Sequence, residues 1–191
     1  MKKGEISKHF EDCLKRVQDD YSKHAWDKES NMIRFWSEPD TVWWLAKYCR
    51  EKFGENKVHV EVTIRRTKER AKHDFGIMFN EDTLGRRFDL VISDPHKYGE
   101  RFDLVAEVKW FWKHDEESNT DGKKSRQSVK RDLDKLANLK KCCRLAYCCI
   151  FDEGGLIKEV AINKWRGLEK YSNIKMIRIP LKPQTVVKGS T

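Results

Sequence analysis

Asp89, Glu107 and Lys109 are the residues whose types and spacing could do chemistry. Each lies in a run that alternates apolar and polar residues with period two, the pattern of a strand with one face buried. In the first run Phe88, Leu90 and Ile92 are expected on one face, and Arg87, Asp89, Val91 and Ser93 on the other. In the second, Phe102, Leu104, Ala106, Val108 and Trp110 are expected to share a face, opposite Asp103, Val105, Glu107 and Lys109. Asp94, Pro95 and Gly99 between the runs favour a turn between antiparallel neighbours. Two carboxylates and an ammonium then project from one side of one sheet. Paired carboxylates suit a hard divalent cation, and a lysine beside them can orient a water and meet negative charge developing on a phosphate. The competing reading is a solvated strand face, on which Glu and Lys two residues apart make only weak surface pairs.

The remaining elements must position those strands. Ile6, Phe10, Cys13, Leu14, Val17 and Tyr21 form one helical stripe over 5–22, packing on the domain or on a partner chain. The stretch 23–36 is less regular and carries Trp26, Phe35 and Trp36. Ser37 is expected to cap a helix, with Pro39 in its first turn, Asp40 completing a capping box and Gly54 at its end. Val42, Leu45, Ala46, Cys49 and Phe53 are its buried stripe. Val58, Val60, Val62 and Ile64 alternate with polar residues that include Glu61, predicting a further strand. Residues 65–87 are basic and read as loop around 74–82, with a short apolar piece.

Downstream, 113–124 contains no apolar residue and reads as a mobile loop. A helix is expected over 125–140, with Val129, Leu133, Leu136 and Ala137 facing inward. A buried strand follows at 144–151, broken by Glu153, Gly154 and Gly155. Ile157, Val160, Ala161, Trp165 and Leu168 fit a helix, although 156–162 also alternates like a strand. A last strand is expected at 174–179, ended by Pro180, and the tail from Lys182 is basic.

The chain has 191 residues, enough for one domain with a core of its own. No apolar run approaches the roughly 20 residues of a membrane span, and the N-terminal segment lacks the apolar stretch of a signal peptide. The expectation is a soluble cytoplasmic protein with no membrane partner. The formal net charge of +9 points to a polyanion, nucleic acid first. Cys142, Cys143, Cys148 and Cys149 have a spacing that suggests zinc. Cys148 and Cys149 are adjacent on an expected strand, so they face opposite sides, and all six cysteines are read as core residues of a reducing compartment.

Asp89 followed by Glu107-Val108-Lys109, set in the order helix, three strands, helix, strand, resembles the PD-(D/E)XK nuclease superfamily over 37–151. Phe88 stands where that family usually has Pro. The resemblance implies a restriction-endonuclease-like α/β fold: three layers, α/β/α, around a central mixed sheet of four to five strands, plus an N-terminal helix. It divides the chain into a helical extension at 1–36, a nuclease-like domain at 37–181 and a basic tail at 182–191. It implies a Mg2+-dependent DNA endonuclease or exonuclease, with Mn2+ as a substitute, that leaves a 5′-phosphate and a 3′-hydroxyl. Asp89, Glu107 and the Val108 carbonyl would hold the metal, and Lys109 would orient the attacking water.

Glu38 and Glu61 are candidate accessory acids by the same resemblance; the alternative for each is a solvated or helix-stabilising acid. Lys123, Lys124, Arg126, Lys130 and Arg131 are candidate phosphate contacts, or else a solvated helix face, and Gln127 stands where family members place a polar residue beside the site. Arg131 replaces the Tyr of the Gln-x-x-x-Tyr branch, so that branch is not supported. Trp110 is expected in the core, and one of Trp110, Phe111 and Trp112 could stack on a base. The partner is DNA, with RNA open, and the N-terminal helix with its neighbouring tryptophans makes a homodimer an expectation. The rival readings are a non-catalytic nucleic-acid-binding protein on the same fold and a protein-interaction module.

Overall fold

A computed structural model describes residues 1–24, 26–27, 32–33, 37–66, 68–75, 79, 81–94, 101–111, 123–139, 141–153, 155 and 157–181. The expected connection at 95–100, most of the expected mobile loop, the tail at 182–191, and Phe35, Trp36 and Trp112 lie outside the described residues.

The chain folds as an α/β structure on one five-stranded mixed open sheet, with an N-terminal helix. The helix α1 (Lys3–His24) leads to a small ribbon, β1 (Trp26–Asp27) paired with β2 (Met32–Ile33), and then to α2 (Glu38–Phe53). The sheet follows as β3 (Val58–Thr63), β4 (Arg87–Ile92), β5 (Leu104–Phe111), β6 (Ala146–Asp152) and β7 (Ile174–Pro180), hydrogen-bonded in that order. β3, β4 and β5 are antiparallel neighbours. β6 lies parallel to β5, and β7 parallel to β6, so each needs a crossover. The helices α4 (Lys123–Ala137) and α5 (Glu159–Arg166) lie in those crossovers. Of the alternative strand at 156–162, residues 159–162 lie in α5 instead.

The Ser37 cap forms as the sequence predicts. Its hydroxyl accepts from the Asp40 N–H, the Asp40 carboxylate accepts from the Ser37 N–H, and Pro39 sits in the first turn. Gly54 closes α2 at φ 98°, a conformation that favours glycine, with its N–H on the Arg50 carbonyl. The capping places Glu38 at the very start of α2, at the edge of the sheet.

Helices cover both faces. On one, α1 and α2 pack Phe10, Leu14, Val17, Leu45 and Cys49 against Leu90, Ile92, Leu104, Ala106 and Val108. The helix α1 therefore packs on the sheet itself, and its Ser7 hydroxyl shares a 2.7 Å hydrogen bond with Tyr147 of β6. On the other face, Ala71 of α3 (Lys68–Phe75), Val129, Leu133 and Leu136 of α4, and Ile162 and Trp165 of α5 form the second core. Covered on both faces, β6 is buried at every residue, as a central parallel strand requires. Among the described residues no helix is long and apolar enough to cross a membrane.

Two expected faces differ. Leu90 and Ile92 join the α1/α2 core, whereas Phe88 joins the α4 core with Val91. The cause lies opposite, in β3. Glu61 takes a left-handed backbone, φ 51°, and the β3–β4 ladder skips the Glu61–Asp89 position between Val60↔Leu90 and Val62↔Phe88. Side-chain alternation is reset there: Val58 packs on one core, Val60 is exposed, and Val62 and Ile64 pack on the other. Phe102 also joins the α4 core, because it precedes β5 and makes only an isolated bridge to Cys143. The helix α3 lies in the basic stretch before the expected loop and overlaps it only at Asp74 and Phe75; among its described side chains, Ala71 is in the core.

Candidate active site

Asp89 sits where two ladders open. The β4–β5 pairing stops at Leu90↔Ala106, and the β3–β4 pairing skips Glu61. In the gap the Asp89 carboxylate accepts a hydrogen bond of 2.7 Å from the Val108 N–H. That contact ties Asp89 to the strand carrying Glu107 and Lys109, and it replaces the ladder bond that β4 does not supply at Val108.

Glu107 points under α4 and is only 1% exposed. One oxygen, Oε2, lies 2.6 Å from the Lys135 ammonium, while Oε1 is buried without a hydrogen-bond partner. Lys135 also donates to the Arg87 carbonyl at 2.8 Å and stands over the Phe88 ring. Lys109 reaches out of the same face of β5. Its ammonium lies 3.1 Å and 3.3 Å from the two Glu38 oxygens and 3.3 Å from Asp132 Oδ2. The contact with Asp132 is an ion pair without hydrogen-bond geometry, which leaves that buried oxygen unsatisfied in hydrogen-bonding terms. Asp132 links the two lysines, 3.9 Å from Lys135 on its other oxygen.

Four carboxylates (Glu38, Asp89, Glu107, Asp132) thus meet two ammoniums (Lys109, Lys135) at one end of the sheet. The balance shows in their titration. Burial first, and then the Asp89 charge, push Glu107 well above the usual carboxylate range, more than Lys135 can offset. Burial also raises Asp132 against the opposing pull of Lys109 and Lys135. Burial alone would lower Lys109, but Asp132, Glu38 and Asp89 outweigh it and hold the ammonium above its ordinary value.

The residues expected from sequence to act together are therefore neighbours: Asp89, Glu107 and Lys109, with Glu38 on the lysine and Val108 engaged through its N–H. Glu61 sits farther out, well exposed and 3.7 Å from Arg87. It shares with Glu38, Asp89, Trp43 and Val60 the lining of an open cleft of about 270 Å³. Trp43 is 56% exposed there.

Lys135 belongs to this cluster, while the basic residues of α4 expected to contact phosphate lie earlier in the helix. Lys124, Gln127, Lys130 and Arg131 are exposed and Arg126 is half-buried; the Lys123 side chain is outside the described residues. Lys130 pairs with Asp134 at 2.9 Å, and neither Gln127 nor Arg131 makes a hydrogen bond or ion pair with the carboxylate cluster. Asp103, which precedes β5, pairs with Arg144 at 2.8 Å, away from the carboxylate cluster. Cys148 and Cys149 face opposite cores.

Asp132 and Lys135 are the residues that sequence reasoning missed. Asp132 interrupts the stripe Val129, Leu133, Leu136 at a buried helical position, and a charge inside an apolar stripe was the available signal.

The donor set fits a divalent cation: a buried carboxylate with an orphan oxygen, a second carboxylate raising its pKa, and an excess of acids over lysines. Among the described residues no three His, Cys, Asp or Glu side chains are already gathered as metal ligands. No protein-family model, curated protein or solved structure gives a significant match to this chain.

Proposed function

We propose that this protein is a divalent-cation-dependent nuclease of the PD-(D/E)XK type that hydrolyses phosphodiester bonds in DNA. The observation that carries the proposal is Glu107: a carboxylate 1% exposed, with one buried oxygen unpartnered, beside Asp89 and two residues from Lys109. Buried polar atoms are usually hydrogen-bonded, so an orphan oxygen in a charged cluster leaves room for a ligand. The element order lends support. A capped helix, three antiparallel strands, a crossover helix and a parallel strand support a restriction-endonuclease-like arrangement, with α1, α3 between β3 and β4, and α5 with β7 as additions.

In this reading Asp89 and Glu107, with the Val108 carbonyl, would hold Mg2+ or Mn2+. The cation would supply charge neutralisation at the phosphate and acidify a bound water. The chain's own contribution centres on Lys109. Glu38 and Asp132 grip its ammonium from two helices, so its position is fixed before substrate arrives. A fixed, protonated lysine can orient water and meet negative charge that grows only in the transition state. Asp89 is fixed in turn by the Val108 N–H. Trp43 and Val60, exposed in the cleft beside Asp89, offer an apolar surface for a base or sugar.

The test is incubation of the purified protein with plasmid, linear, single-stranded and branched DNA in Mg2+, Mn2+, Ca2+ or EDTA. Cleavage is expected in Mg2+ and Mn2+, none in EDTA, and binding without turnover in Ca2+. Full activity in EDTA would sink the proposal. One observation favours a second reading, a non-catalytic nucleic-acid-binding protein on the same fold. The Lys135 ammonium, 2.6 Å from Glu107, already gives that carboxylate a counter-charge. DNA binding indifferent to EDTA, with no cleavage in any metal, would establish the second reading.

A further inference from the structure

The opposite end of the sheet carries a second concave site. It lies between the start of α1, the approach to β5, the end of α4 and the beginnings of β6 and β7, and encloses about 160 Å³. Lys3, Arg101, Arg144 and Lys170 stand around it, and Leu136 and Ile174 contribute its apolar floor. No acid lines it. Arg101 precedes β5 and Lys109 lies near its end. At about 3.3 Å per strand residue the two sites are more than about 20 Å apart.

The charges fall into two kinds. Arg144 is held by Asp103 at 2.8 Å and reaches the Met1 carbonyl at 3.4 Å; Lys170 is held by Asp134 at 2.7 Å. These two are anchored by their partners. Among the described residues Lys3 and Arg101 make no ion pair with any acid, so no described acid compensates their charge. A basic pocket in which two cations are anchored and two have no described acid beside them costs free energy through self-repulsion, which an entering anion relieves. Two guanidiniums on one pocket favour a tetrahedral oxyanion, because their planar forks match phosphate oxygens in pairs. The apolar floor suits whatever carries the phosphate.

We propose that this pocket binds a phosphate group, with Arg101 and Arg144 as its forked donors and Lys3 and Lys170 completing the charge. The phosphate belongs either to the end of a nucleic-acid strand or to a free small molecule. The inference stands independently of the nuclease reading, since it concerns binding at a separate place.

The probes are inorganic pyrophosphate, a 5′-phosphorylated trinucleotide and the same trinucleotide without the phosphate, titrated calorimetrically into the full chain at fixed ionic strength without divalent metal. Saturable binding of a phosphorylated probe is expected, and Lys3→Ala with Arg101→Ala should weaken it by about tenfold or more with an unchanged melting curve. A charge-matched control, Lys15→Ala with Lys23→Ala on the exposed side of α1, should leave it intact. Preference for pyrophosphate identifies the free source; preference for the 5′-phosphorylated over the plain trinucleotide identifies the strand end. Indifference to the phosphate, or equal weakening by the control pair, would overturn the proposal.

Discussion

The surroundings of Glu107 oppose its charged form. Burial, Asp89 and Asp132 favour its neutral form, and Lys135 compensates only in part. The sign of the consequence follows from proton linkage. An unfolded glutamate titrates near pH 4.3, while the folded one titrates higher. Between those values the folded state holds more protons than the unfolded, so stability falls as pH rises through the window. Glu107→Gln removes the charge but keeps an oxygen that can accept from Lys135. The metal-free variant is expected to be more stable than the parent at pH 7.5, by about 1 kcal/mol or roughly 3 °C, and to show a flatter fall above pH 5. Burial, and then Arg50, lower His59, which contributes a rise in stability as pH climbs toward its unfolded value, but that is common to both proteins and cancels in the difference. Melting curves from pH 5 to 8 for both proteins check this; a variant less stable throughout would show that Lys135 is worth more to Glu107 than its burial costs.

Lys109 is the converse case at the same scale. Its ammonium satisfies Glu38 and offsets Asp132, so Lys109→Ala is expected to lower the melting temperature as well as DNA cleavage. The rate loss should be on the order of a hundredfold or more, with Mn2+ affinity kept, since removing a positive charge cannot weaken cation binding. Asp89→Asn should lose cleavage together with Mn2+ affinity, which separates the ligand from the lysine. Calorimetry with Mn2+ beside cleavage rates is the measurement.

At the scale of elements, the feature that makes the site is the disturbed edge between β3 and β4. Glu61 carries a positive φ that costs a non-glycine residue about 1 kcal/mol or more, and opposite it Asp89 is released from both ladders. Glu61→Gly is therefore expected to keep the fold and raise its unfolding free energy by up to about 1 kcal/mol, while Glu61→Val should lower it. Urea denaturation of the two variants checks the sign; equal destabilisation by both would mean that the carboxylate, through Arg87, matters more than the backbone. This disturbance also marks the limit of what the sequence makes legible. The Ser37 cap and the strand alternation lie in short stretches of chain, so α2, the strands and the meeting of Asp89, Glu107 and Lys109 can be read directly. Period two assumes an unbroken strand, so Phe88 is assigned to the wrong face once Glu61 resets the pleat. Lys135 looks like ordinary helix polarity, and Asp132, although it interrupts an apolar stripe, does not reveal its partner, because Glu107 and Lys109 are 28 and 23 positions away from them.

For the whole molecule, the question is where the net charge of +9 acts. The carboxylate cluster is locally acidic, so a phosphate backbone approaching it must be held by cations elsewhere. The exposed side of α4 offers Lys124, Lys130 and Arg131. Lys130 is partly neutralised by Asp134, a surface pair worth little in water. If this face tracks the backbone, each cation that neutralises a phosphate contributes about 0.9 to the slope of log affinity against log salt. Replacing the three with Ala should then weaken DNA binding at every sequence and reduce that slope by about 2 to 3. The substitutions are exposed and lie on a helix, where Ala is the best former, so the melting curve should hold. The measurement is DNA affinity from 50 to 300 mM salt in Ca2+, which supports binding without turnover in the proposed mechanism. A slope unchanged in the variant would move the DNA path off α4, leaving the pocket at Arg101 and the cleft at Trp43 as the surfaces to map next.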